Sequence, residues 1–187
     1  MTFIKSKEYH LQLKYWNERN EIRIEVEEKL RIKIRNRLEF YIERAKEDFK
    51  QYLKNENFLI IEMSNYVEAS FEGIKARIVI KELGYNTSCV LELHITNQNR
   101  QEKFIAIHSK TKFYYPSINK IRTTPKDITL LKKDIKAIDE EILFLNSEIN
   151  KIDKINFEYS FYDEAAKPDF KELKTYHDIT EILNELF

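Results

Sequence analysis

Two glycines, three prolines and a single cysteine are few for a chain of 187 residues, and each scarcity closes off a class of chemistry. Two isolated glycines, Gly73 and Gly84, cannot build a phosphate-cradling loop or a dinucleotide fingerprint. One cysteine, Cys89, excludes an intrachain disulfide and a cysteine-built zinc site. No apolar run reaches membrane-spanning length, and Met1–His10 has no signal-peptide core because Lys5, Lys7 and Glu8 interrupt it. A cytoplasmic protein without a membrane contact is therefore expected. Net charge is also missing: 32 basic and 32 acidic side chains cancel, which argues against nucleic-acid binding by bulk electrostatics.

The balance is uneven along the chain. Residues 1–57 carry 14 basic and 11 acidic side chains, residues 58–118 carry 7 and 6, and residues 119–187 carry 11 and 15. A basic front and an acidic back can neutralise each other within one fold or face different partners.

What is abundant is charge, at 34% of residues, and with so few helix breakers this points to long helices. From Ser6 to Asn55 there is neither Gly nor Pro, and Leu11, Tyr15, Ile22, Val26, Leu30, Ile34, Leu38, Tyr41, Ala45, Phe49 and Tyr52 recur mostly at helical steps. Ile22–Val26 and Leu30–Ile34 also alternate as a hairpin would. The linking Glu27-Glu28-Lys29 has no turn chemistry, so helix is the better reading.

The most regular pattern is a heptad seam. Leu131, Ile135, Ile138, Ile142, Leu145, Ile149 and Ile152 follow steps of four and three without a miss, with Ile135, Ile142 and Ile149 at a and the others at d. Thr124-Pro125-Lys126-Asp127 reads as the helix start, with Thr124 as N-cap. The flanking e and g positions are Lys132, Asp134, Asp139, Glu141, Asn146 and Glu148, four of six acidic, so a parallel homodimer would set Asp134 against Asp139 of its copy. A basic partner helix fits better, and Lys29, Arg31, Lys33, Arg35 and Arg37 supply one around Leu30, Ile34 and Leu38. An antiparallel pairing of the two helices within the chain is the simplest expectation. It would leave an overhang exposing Leu11, Leu13, Tyr15 and Trp16 as a docking stripe.

Residues 58–115 change to period two. Turns at Glu72-Gly73, Gly84-Tyr85 and Gln98-Asn99 predict a four-stranded meander, with Ile80 opposite Cys89 and Cys89 opposite His108. Its apolar face would gather Val67, Ala69, Phe71, Ile74, Ala76, Ile78, Ile80, Cys89, Leu91, Leu93, Ile95, Phe104 and Ala106. The other face would pair Arg77 with Glu92. Asn156–Tyr162 alternates as a short strand, and a last helix begins near Asp169 or Asp178.

Catalytic constellations are sparse. The Cys89/His108 pair would sit on the apolar face, where a core cysteine beside a bonded histidine is the ordinary outcome. The chain has no Ser-centred elbow, no zinc-binding helix motif and no acid-x-Lys triplet on a strand, and its histidines lack ligand spacing. One stretch suits nucleic acid: Lys110, Lys112, Phe113, Tyr114, Tyr115, Lys120 and Arg122 place cations around rings able to stack on bases.

The reading is an α+β chain. A long N-terminal helix (1–57) is followed by an antiparallel sheet domain (58–118), a coiled-coil helix (119–155) and a C-terminal extended segment and helix (156–187). Its expected role is that of a non-catalytic accessory or adaptor subunit, docking through helical surfaces on a larger protein, in a multi-subunit bacterial or phage machine, or on a copy of itself. The partner-binding residues would be Leu11, Tyr15, Trp16, Arg35, Arg37 and the seven seam residues. Nucleic acid is the secondary partner, and no metal or small-molecule cofactor is expected.

Overall fold

A computed structural model describes residues 3–80, 89–96, 101–109, 114–116, 122–163 and 173–187. Helix α1 (Phe3–Asn55) is unbroken, as the lack of Gly and Pro predicts. It ends in a Schellman motif: Asn57, at φ 66°, and Phe58 donate their N–H groups to the carbonyls of Lys54 and Leu53. Then come β1 (Leu59–Glu62), β2 (Tyr66–Phe71), β3 (Ile74–Ile80), β4 (Cys89–Thr96), β5 (Gln101–His108), α2 (Ile128–Ile152), β6 (Glu158–Asp163) and α3 (Ile179–Leu186). The strands form one antiparallel sheet in chain order. It contains the four expected strands, with β1 added at one edge and β6 at the other.

The described chain divides into two units, Met1–Ile34 with Phe113–Lys154 and Arg35–Lys112 with Ile155–Phe187. In the first, α1 and α2 run side by side in the same direction. Glu8 pairs with Lys132, Trp16 with Asp134, Arg19 with Asp139 and Lys33 with Asp153, so the offset stays close to 120 residues throughout. An antiparallel pair would have kept the sum constant instead, so the expected antiparallel arrangement is overturned. The connection explains why. Tyr114 bonds to Glu148 and Arg122 to Glu141 and Asp134, so the chain returns along α2 in the opposite sense before that helix begins. Twenty-five residues of helix span only about 38 Å, which a dozen extended residues can cover. The helix starts three residues later than expected: Asp127, not Thr124, is the N-cap and accepts from the Leu130 N–H at 2.9 Å. The Pro125 carbonyl instead accepts from the Tyr9 hydroxyl.

In the second unit the last turns of α1 lie on one face of the sheet. The Tyr159 hydroxyl on β6 donates to the Tyr41 carbonyl at 2.7 Å, and Lys46 and Lys50 pair with Glu62 on β1. Ala45, Ala69 and Ala76 are fully buried there, small residues that let helix and sheet approach closely. The β2–β3 register is the expected one, Val67 opposite Ile78 and Phe71 opposite Ile74, around a turn in which Glu72 and Gly73 both take positive φ.

The next two registers differ from expectation. Between β3 and β4, Ile80 faces Leu91 rather than Cys89, a shift of two that keeps every side chain on its expected face; the connecting turn lies outside the described residues. Between β4 and β5 the slip is one residue, which exchanges the faces of β5: Leu93 faces Lys103 and Leu91 faces Ile105. Ile105 and Ile107, larger than Ala106, take the inner face and meet Phe161 and Tyr159 of β6. Cys89 therefore stands opposite Ile107. His108 bonds to the Ser160 hydroxyl at 2.8 Å and is not opposite Cys89 in the register. Arg77 faces His94 rather than Glu92, and its guanidinium bonds to Glu68 and lies over the Tyr66 ring.

α3 carries a capping box: Asp178 accepts from the Glu181 N–H, and the Glu181 carboxylate accepts from the His177 N–H. The far edge of the sheet is covered by a two-way backbone bridge between Tyr159 and Tyr176.

Candidate protein-docking surface

The seam itself is occupied within the chain. Leu131, Ile135, Ile138, Ile142, Leu145 and Ile152 are buried and Ile149 is half-buried. The acids flanking it are neutralised locally. Asp134 accepts from the Trp16 indole N–H at 2.7 Å and from Arg122; Glu141 accepts from Arg122 at 2.6 Å and lies 3.8 Å from Arg23. Asp139 pairs with Arg19, and Asp153 with Lys33. Glu148 bonds to Lys151 and to the Tyr114 N–H. The Lys151 bond, with the Tyr114 amide adding to it against partial burial, holds its carboxyl below the usual 4.5.

The centre of this network is Arg23, fully buried, bonded to Asn20 and at 2.9 Å to Glu27, which also receives Arg31. In α1 the buried positions Trp16, Arg23 and Leu30 are seven apart, so a charged residue occupies the core phase of the helix.

Trp16 is therefore buried, contrary to its expected exposure, because it packs toward α2, where its indole N–H meets Asp134. α1 also leaves Ile24, Ile32 and Phe40 exposed, but the group on one flank of its first turns is Leu11, Tyr15 and Ile22, at 60%, 44% and 37% exposure. At about 100° per residue they fall within about 40° of one another, on a flank roughly 100° from the buried stripe. Lys14 and Glu18, paired at 3.9 Å, border that flank. Ile22 belongs to this surface although the expected docking stripe stopped at Trp16; its four- and seven-residue spacing from Tyr15 and Leu11 was the available signal. Of the basic residues, Arg35 is exposed, while Arg37 donates to the Ile155 carbonyl at 3.1 Å and sits over the Tyr41 ring.

For the basic/aromatic stretch, Lys110, Lys112, Phe113 and Lys120 lie outside the described residues. Tyr114 makes an edge contact with Phe144 at 5.2 Å, Tyr115 is half-buried, and the charge of Arg122 meets two carboxylates. Among the described residues no group of three or more His, Cys, Asp or Glu could hold a metal ion, and no described helix is long and apolar enough to cross a membrane.

A second surface lies on the second unit, where Leu59-Ile60-Ile61-Glu62 carries no periodic signal. β1 exposes Leu59, Ile61 and Met63 on the sheet face away from α1, while Ile60 and Glu62 point inward beside Lys50 and Phe58. The hydrogen bond donated by Lys50 holds the Glu62 carboxyl below its ordinary value, and donating to Glu47 and Glu62 raises Lys50.

No family model matches this chain, nor does any curated protein or solved structure.

Proposed function

We propose that this chain is a non-catalytic accessory subunit that docks on a larger protein through a helical surface, the exposed flank of residues 11–22 in α1. The observation that carries the reading is the alignment of Leu11, Tyr15 and Ile22 along one helix flank while the neighbouring stripe is packed. A long helix held against a second helix by ion pairs presents its side chains rigidly, which lowers the ordering entropy of binding. We read the packing of α2 against residues 1–34 as a short parallel coiled coil within the chain, supported by its three–four spacing and by the constant offset of the cross-helix pairs. On this reading the seam holds the docking helix in place rather than meeting the partner.

The test is affinity capture from the native host with the wild-type chain and with Leu11→Asp/Ile22→Asp, both substitutions on exposed positions. Loss of one defined partner by the variant, with its circular dichroism unchanged, supports docking through this flank. Retention of the same partner refutes it. Micromolar binding to oligonucleotides with a steep salt slope, abolished by Lys110→Ala/Lys112→Ala/Lys120→Ala, would assign the chain to nucleic acid instead.

A further inference from the structure

Strand β1 is an edge of the sheet, and its unprotected side has a specific shape. The Met63 N–H donates to the Tyr66 carbonyl, so by the alternation of an antiparallel ladder Leu59, Ile61 and Met63 direct their backbone groups toward β2. Ile60 and Glu62 then direct theirs away from it, and among the described residues nothing pairs with them. Edge strands usually carry lysine, proline or a bulge on such a side. Here the outer face of the edge carries Leu59, Ile61 and Met63 at 75%, 51% and 51% exposure. The opposite edge, by contrast, is closed by the Tyr159–Tyr176 bridge.

We infer that a second copy of this chain pairs antiparallel along β1, joining the two sheets about a two-fold axis through Ile61. The register follows from the backbone. The outward groups of Ile60 meet those of Glu62 in the second copy and the reverse, which sets Ile61 opposite Ile61 as a non-hydrogen-bonded pair and Leu59 opposite Met63. This register sets no like charges directly opposite each other. Glu62 faces an isoleucine rather than its own copy, and its charge is already met by Lys46 and Lys50. A slip by two residues in the sense that sets Glu62 opposite Glu62 would juxtapose like charges, which opposes that alternative. One short strand and three side chains per chain fall at or below the lower bound of stable interfaces, about 1,200 Å², so the dimer is a reversible, concentration-dependent one. This pairing uses none of the α1 flank and stands or fails apart from it.

The experiment uses the full chain. Sedimentation equilibrium between about 1 and 500 µM should show the mass rising from one chain to two. Ile61→Lys, which places two ammonium groups on the axis, should weaken association at least tenfold without changing the circular dichroism. In a Cys89→Ser background, Ile61→Cys should oxidise to a covalent dimer, because Cα atoms of such a pair stand about 4.5 Å apart, within disulfide range. Leu59→Cys alone should not, since its copies stand about 13 Å apart in this register, whereas Leu59→Cys mixed with Met63→Cys should crosslink. A chain that stays single at the highest concentration, or association that survives Ile61→Lys, would overturn the inference. So would equal crosslinking at positions 59 and 61, or an edge that crosslinks only to an extended peptide of another protein.

Discussion

Arg23 is held at the centre of the first unit with only 2% of its surface exposed, bonded to Asn20 and Glu27. A buried guanidinium is tolerable only while its carboxylate stays in place, because desolvation of either charge alone exceeds what hydrogen bonds to neutral groups return. Arg23→Met should therefore destabilise the chain by about 3–5 kcal/mol, much of it from Glu27 left buried with only Arg31. Arg23→Met/Glu27→Leu should lie well above the single variant and close to wild type, since apolar side chains of similar volume fill the space without unpaired charge. Urea unfolding of the three proteins checks this; a double variant as unstable as the single one would mean that the pair contributes through packing alone. This residue also marks a limit of pattern reading. Apolar periodicity picks out Val26, Leu30 and Ile34, but a charged residue in the same phase registers as a break in the stripe. Only its pairing with Glu27 four residues on, also in that phase, could have exposed it. The burial of Trp16 is hidden from the pattern for a related reason: its hydrogen-bond partner Asp134 lies 118 residues away.

At the scale of elements, one helix and one hairpin are legible from local sequence alone. α1 follows from an uninterrupted run without Gly or Pro. The β2–β3 hairpin follows from Glu72-Gly73, a two-residue turn with both residues at positive φ. Where the alternation is degenerate, the register is not legible in the sequence. A shift of two between β3 and β4 leaves every face unchanged, so no face argument detects it. Phe104-Ile105-Ala106-Ile107 is apolar on both faces, so nothing local decides which pair turns inward. β1, reading Leu-Ile-Ile-Glu, is too short and too uniform to show period two.

The return segment along α2 has no periodic signal at all, yet it supplies the Tyr114 amide that, with Lys151, keeps Glu148 ionised. Because the Glu148 carboxyl titrates lower in the folded chain than its usual 4.5, the folded state binds fewer protons there than the unfolded one. Its stabilising contribution is thus complete above about pH 5 and is lost as pH falls through the depressed folded value. Glu148→Gln should be less stable than wild type near neutrality and should show a flatter decline below pH 4.5. Thermal midpoints measured from pH 7 to pH 3 check the prediction. An undiminished acid slope in the variant would place the acid sensitivity elsewhere.

For the molecule as a whole, the chain passes between its two units at residues 34–35, 112–113 and 154–155. The first passage lies within the unbroken α1, whose apolar stripe serves α2 before it and the sheet after it. Sequence could identify both halves of that helix but not that they belong to different units, since a continuous 3.6-residue period carries no mark of what it packs against. Helix propagation is cooperative, so an intact α1 should couple the units in unfolding. Asn36, exposed and next to the passage, tests this. Proline there removes one backbone hydrogen bond and collides with the carbonyl four residues earlier, at a cost of about 3 kcal/mol or more, without touching either core. The single tryptophan, buried against Asp134, reports the first unit alone, whereas far-ultraviolet circular dichroism reports both. In the wild type the two signals should change together on heating. In Asn36→Pro they should separate into two transitions, each unit retaining its own packing. Coincident transitions in the variant would show that the units are coupled by something other than the helix they share.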